Sequence, residues 1–225
     1  NWAELMKLKN NHKFVLAADG SGASGKTTGA KIISRKYGLK FLSSGLLYRF
    51  ASHQLLKYKP KNKVNFLKSK FKKLNYSKLN KIGLHSSKIS EYTSIIAKEK
   101  KIRDVLKKFQ KDFASKHKKV CIEGRDIGTV ILPKADLKFF FVCSLNIAAK
   151  RRYKELKKKN KNIIFKNVKK DLQNRNLRDV SRKNSPLLKS RDAVIVDTGK
   201  LRNITMMVNK MCKIMDRKIL DKYGN

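Results

Sequence analysis

One stretch constrains this chain more than any other: Asp19-Gly20-Ser21-Gly22-Ala23-Ser24-Gly25-Lys26-Thr27. It fits G-x-x-x-x-G-K-[ST], with Gly20, Gly25, Lys26 and Thr27 at the fixed positions. The apolar run 14–18 precedes it and reads as a buried strand. A helical pattern follows, with Ile32, Ile33 and Tyr37 on one side. Strand, glycine loop and helix together are the context that makes this pattern a P-loop. The glycines free the backbone to turn successive N–H groups inward on a phosphate chain, and the following helix adds its positive end. Lys26 can reach the β- and γ-phosphates, and the Thr27 hydroxyl can ligate Mg²⁺. The candidate nucleotide-binding residues are Gly20, Ser21, Gly22, Ala23, Ser24, Gly25, Lys26, Thr27 and Thr28. The plainer alternative is a glycine-rich turn at a strand–helix junction.

The loop needs a sheet to stand on, and the rest of the chain offers one. Five short apolar runs have strand character: 14–18, 40–43, 119–122, 137–143 and 193–197. Helical patterns or longer connections separate them, which predicts an α/β fold with a five-stranded parallel sheet between helix layers. Each run ends in polar residues: Asp19, Ser43-Ser44, Glu123-Gly124-Arg125-Asp126, Ser144 and Asp197-Thr198. That is the end of such a sheet where ligands bind. Residues 45–58 read as a helix leaving the second strand. The segment 57–84 carries Pro60 and eight lysines between Lys57 and Lys73, has little clean periodicity, and reads as an insertion or small mobile domain. Residues 88–116 return to helical character, with Ile89, Ile95, Ile96, Ile102, Leu106, Phe109 and Phe113 as apolar candidates. A basic helix spans 147–156, a break falls at 160–162, and 166–182 reads as a helix rich in arginine. Leu201, Ile204, Val208, Met211 and Met215 predict the packing face of a last helix. The expected division is a core of 1–56, 99–158 and 183–225, an acceptor-binding insertion of 57–98, and a short helical lid of 159–182. Residues 1–12 read as a loosely held tail, with Met6 a candidate start.

Composition limits the partners. The chain has 225 residues, 40% of them hydrophobic, and no apolar run near the ~18–20 residues of a membrane span. Its 57 Lys+Arg against 16 Asp+Glu give a formal charge of +41. That charge raises nucleic acid as a partner. The lysines are spread over the whole chain, though, and interleave with Asn in runs such as 157–162, as a solvated surface does. No aromatic-interleaved basic stripe stands out. A cytoplasmic monomer that handles small nucleotides, with no membrane and no nucleic-acid partner, is expected. Cys121, Cys143 and Cys212 form no C-x-x-C pair and read as small buried hydrophobes of a reducing compartment. His12, His53, His85 and His117 have no metal-ligand spacing.

Three constellations beyond the loop carry chemistry. They are Ser44-Gly45-Leu46-Leu47-Tyr48-Arg49, Glu123-Gly124-Arg125-Asp126-Ile127-Gly128-Thr129, and Arg175, Asp179 and Arg182 on one helix face. Phosphoryl transfer needs cationic clamps and a dry pocket more than covalent chemistry. Arginine suits that task because its planar fork grips phosphate oxygens and stays charged. Glu123, at a strand end beside the loop, sits where an acidic residue steers Mg²⁺ through water. Each has a plainer reading: Arg49 as a surface helix residue, Arg125 and Asp126 as a self-paired turn, the Arg175 set as a solvated helix face, and Glu123 as a hydrogen-bonded strand end.

In this order, Ser-Gly-x-x-Tyr-Arg (Ser44–Arg49), Glu-Gly-Arg-Asp-Ile-Gly-Thr-Val-x-x-Pro-x-Ala-Asp (123–136), Arg-x-x-x-Asp-x-x-Arg (175–182) and Pro-Leu-x-x-x-x-Asp-Ala-x-x-x-Asp-Thr, whose ends are Pro186 and Thr198, resemble the motifs of bacterial cytidylate kinases. The resemblance spans about residues 13–215, and Gly-Arg-Asp-Ile-Gly-Thr is its most diagnostic part. It implies transfer of the γ-phosphoryl group of ATP, with Mg²⁺, to CMP or dCMP, giving ADP and CDP or dCDP in pyrimidine nucleotide metabolism. It implies Ser44, Arg49, Ser94, Arg103, Arg125, Asp126, Arg175, Asp179 and Arg182 as the CMP-binding set. Lys26, Arg125, Arg175 and Arg182 would be catalytic, with Thr27 as metal ligand. Two positions depart from the family pattern: Ser43 replaces the usual Asp, and Ala148 replaces an Arg early in the helix after the fourth strand, leaving Arg151 and Arg152. The competing expectations are a P-loop kinase for UMP, AMP or shikimate, and a basic nucleic-acid-binding P-loop protein.

Overall fold

The computed structural model describes residues 8–158, 160–201 and 203–224. The strand-like runs become five strands: β1 (Phe14–Gly20), β2 (Lys40–Ser43), β3 (Lys119–Gly124), β4 (Leu137–Val142) and β5 (Val194–Asp197). All pair in parallel, in the order β2-β3-β1-β4-β5. β1 therefore lies at the centre, buried on both faces, which is why its sequence is apolar without alternation. The period of two still sorts its side chains: Ala17 faces one core, whereas Phe14, Leu16 and Ala18 face the other. β3 divides the same way, Val120 and Ile122 on one side and Cys121 on the other.

The helices are α1 (Lys26–Tyr37), α2 (Ser44–Tyr58), α3 (Lys63–Lys72), α4 (Ser87–Ile96), α5 (Lys100–Ser115), α6 (Leu145–Lys157), α7 (Phe165–Ser181) and α8 (Ile204–Tyr223). Several start at side-chain caps. Ser43 accepts the amide of Leu46, Ser86 that of Ile89, Ser144 that of Ile147 and Asn203 that of Met206. α1 and α8 cover one face of the sheet, with Ile33, Met211, Met215 and Ile219 fully buried. α2 and α5 cover the other. Among the described residues no helix is long and apolar enough to cross a membrane.

Four local expectations change. The lysine-rich stretch after Tyr58 contains α3 and a 3₁₀ turn (Tyr76–Lys81), and Leu67, Phe71, Leu79 and Leu84 are buried in the same core as Leu47 and Ile122. The helical period was present at Val64, Leu67 and Phe71 but diluted by lysine. The 88–116 pattern is two helices, broken at Ala97-Lys98-Glu99, and Ile95 points to solvent. The packing face of α8 keeps Met211 and Met215, with Val208 and the preceding Leu201 packed against the same core, and adds Met207 and Ile219, whereas Ile204 is exposed. In the expected tail, residues 1–7, Met6 included, lie outside the described residues, as does position 159 at the start of the expected lid. His12 is held by stacking on Tyr223, with ring centroids 3.8 Å apart. The Lys13 amide donates to the Tyr223 hydroxyl at 2.9 Å, and Lys222 Nζ donates to the Lys13 carbonyl at 2.9 Å and to Asp136 at 2.6 Å. The cysteines are unbridged; Cys121 and Cys212 are buried and Cys143 is half-buried.

Candidate active site

The loop between β1 and α1 is shaped by two backbone turns that few residues can make. Gly20 has φ +155°, and a Cβ there would lie 2.5 Å from the Phe141 carbonyl oxygen on β4. Gly25 has φ +84° and begins α1. Ala23 also adopts a left-handed φ of +56°, a role its sequence does not announce. Beyond this loop opens a cleft of about 580 Å³. Gly22 to Thr28 form its floor, and Arg49, Glu123, Arg125, Arg151, Arg152 and Arg175 line its walls. Gly20 and Ser21 stand behind the floor. Gly20 packs on Phe141, and the Ser21 carbonyl accepts the Ser24 hydroxyl at 2.9 Å.

Lys26 is almost completely buried, with its Nζ 2.9 Å from Glu123 Oε2. Burial and the charge of Arg125 push its ammonium down to about 8, against the pull of Glu123. For Glu123, burial raises the carboxyl, but Lys26 and the Ser43 hydroxyl that donates to it outweigh burial and hold it below the ordinary range. Where the cytidylate kinase pattern has Asp, Ser43 thus supplies a neutral hydroxyl and caps α2 with the same oxygen.

A second, smaller pocket adjoins the first. Ser44, Tyr48, Ser94, Arg103, Asp126, Asp179 and Arg182 line it. Gly45, Arg125 and Arg175 line both pockets and form their common wall. Arg125 Nε donates to Asp179 Oδ2 at 2.8 Å, and Arg182 Nη1 lies 3.6 Å from Asp179 Oδ1. Arg103 pairs with Asp126, donates to the Ala97 carbonyl at 3.1 Å, and sits 5.4 Å over the Tyr48 ring. Ser94 donates to the Glu91 carbonyl at 3.0 Å. Arg49 donates to Ser90 at 2.7 Å and to the Leu84 carbonyl at 3.2 Å. Burial, with Arg125 and Arg49 beside it, lowers the Arg175 guanidinium; burial, with Arg152 and Arg125, lowers that of Arg49. Cations forced together under low solvation favour an anion between them.

A family model described as cytidylate kinase matches residues 16–217. The chain belongs to the cytidylate kinase family. The cytidylate kinase of Bartonella tribocorum (strain CIP 105476 / IBS 506) is 37% identical over 193 residues, covering 84% of this chain and 88% of that protein. The cytidylate kinase of Clostridium tetani (strain Massachusetts / E88) is 34% identical over 224 residues, covering 94% and 98%. In fold alone, the chain resembles an uncharacterized protein from Eubacterium ventriosum ATCC 27560, with a TM-score of 0.51, 14% identity, and 91% and 99% of the two chains covered.

Every residue that the cytidylate kinase resemblance implies for the acceptor lines one of the two adjoining pockets. Other residues reach the site that sequence reasoning left without a part. Arg151 donates to both the hydroxyl and the carbonyl of Thr198 at 2.9 Å, and Thr198 donates to the Ser24 carbonyl at 2.7 Å. The P-loop is thereby tied to the end of β5. Asn176 accepts the Gly22 amide at 3.2 Å, and Leu172 crowds Gly22, so α7 lies directly over the loop. Tyr76 donates no charge but accepts the Ser43 amide at 2.7 Å. The only signals for these were a polar strand end at Asp197-Thr198 and the arginine pair on α6.

Proposed function

We propose that this chain transfers the γ-phosphoryl group of ATP to CMP or dCMP, giving ADP and CDP or dCDP. The observation that carries this reading is the shared wall: Arg125 and Arg175 face both the P-loop cleft and the pocket of the acceptor motifs. A phosphoryl group passing between two nucleotides has to cross that wall. The P-loop amides and Lys26 hold the donor phosphates, and Arg125, Arg175 and Arg182 spread the charge of the transferring group. An oxygen of the CMP phosphate forms the new P–O bond as the bond to the β-phosphate breaks. That oxygen is already anionic, so no general base is required. Ser94, Arg103, Arg125 and Asp126 face cytosine or its phosphate and Asp179 the ribose, with Ser44 and Arg49 completing the acceptor set.

Thr27 and, through water, Glu123 would hold Mg²⁺. Both line the cleft beside the loop, and among the described residues no group of three or more His, Cys, Asp or Glu could hold a metal alone, so the donor set suits an ion that arrives on phosphates. The ion neutralises phosphate charge when bound. We read residues 57–98 as the acceptor-binding insertion and 159–182 as the lid that shuts out water. We further read the protein as a cytoplasmic monomer acting on small nucleotides.

The test is an ATP/Mg²⁺ coupled assay across CMP, dCMP, UMP, AMP and shikimate. Turnover confined to CMP and dCMP is expected. No turnover with either, or salt-sensitive nucleic-acid binding in its place, would overturn the reading.

A further inference from the structure

Asp19 is the penultimate residue of β1, next to the first P-loop glycine, and only 4% of its surface is exposed. Its carboxylate faces amides. Oδ1 accepts the Ile127 N–H at 2.8 Å and Oδ2 the Gly128 N–H at 2.7 Å. These amides open the π-helical turn Ile127–Ile131, which has no capping side chain of its own. Asp19 is therefore a cap supplied by another strand. At Gly128 a Cβ would lie 3.3 Å from Asp19 Oδ2 and 3.1 Å from Lys138 Cδ, so a side chain there would press on the Asp19 carboxylate.

The sheet register adds the second half of the argument. Asp19 stands opposite Gly124 in the parallel pairing of β1 with β3. Residue 124 is thus pinned by the sheet, and residues 127 and 128 by the Asp19 carboxylate. Only Arg125 and Asp126 lie between these two anchors. The donor loop does not depend on the same anchor, because Gly20 is also held in register with Phe141 of β4.

We propose that Asp19 is a positioning residue for the acceptor half of the site, acting through the Arg125–Asp126 arch. It sets that arch against the root of the P-loop without touching either nucleotide. The proposal rests on the reading of this arch as the CMP wall.

The test is Asp19→Asn, which keeps the size but turns one acceptor into a donor facing an amide. KM for CMP should rise about tenfold or more, the scale of one hydrogen bond to a charged group. KM for ATP, and binding of a non-hydrolysable ATP analogue, should stay within about twofold, with a native circular dichroism spectrum. Gly128→Ala, which crowds the same oxygen from the other side, should give the same acceptor-selective signature and serves if Asp19→Asn does not fold. An unchanged KM for CMP in both variants, or equal rises for CMP and ATP, overturns the proposal. Wild-type protein that fails to turn over CMP overturns the underlying reading instead.

Discussion

Single residues here carry costs that function explains better than stability does. Burial pushes the Asp19 carboxyl from its ordinary 3.8 to about 6, with Asp126 adding to the rise and the Gly128 and Ile127 amides and Lys26 opposing it. A raised acid contributes stability that is full below the unfolded value and is lost as pH climbs through the folded one. Relative to Asp19→Asn, wild-type stability should therefore fall by about 2 kcal/mol between pH 4 and pH 7, read from urea denaturation of both proteins at each pH. A flat difference would contradict the burial argument. Lys26→Ala should abolish transfer, and Arg182→Ala should lower kcat/KM by about ten- to a hundredfold without unfolding the protein; wild-type rates in both would refute the site. The P-loop and the arginines were legible at this scale because their chemistry is written in residue type. The parts of Asp19 and Asn176 were not, since their partners are backbone groups more than a hundred residues away, and sequence spacing says nothing of those.

At the scale of elements, the strands are legible almost to the residue, and the apolar run 40–43 is β2, Lys40–Ser43. Buried parallel strands must be apolar runs, and polar residues mark where they end. The helices were harder. α3 hides the buried Leu67 and Phe71 among lysines, and the break between α4 and α5 has no proline or glycine to announce it. The structure makes α3 part of the main core, so Leu67→Ala should lower the unfolding free energy of the whole protein by about 2–5 kcal/mol. A loss confined to local hydrogen exchange in residues 57–84 would show that the segment stands apart. Gly20 tests the join between β1 and β4. Gly20→Ala sets a methyl group against the Phe141 carbonyl at a strained φ and should cost about 3 kcal/mol, measured by chemical denaturation.

For the molecule as a whole, the charge of +41 acts on everything at once. Self-repulsion at this level opposes compactness, and salt screens it with a Debye length of about 10 Å at 0.1 M. The melting temperature should rise by several degrees between 0.05 and 0.5 M NaCl while KM for ATP also rises, because the same salt weakens attraction for nucleotides. Salt-independent melting would mean that local pairing already offsets the excess. The clasp of α8 on β1 has another consequence. Residues 13 and 223 are joined by a hydrogen bond, so the polypeptide path nearly closes on itself. A circular permutant, linked across that clasp and reopened between α6 and α7, would keep all four strand pairings and turn the helix over the P-loop into a leading segment. The order of the elements along the chain is in this sense open to engineering, whereas the order of the strands in the sheet is not.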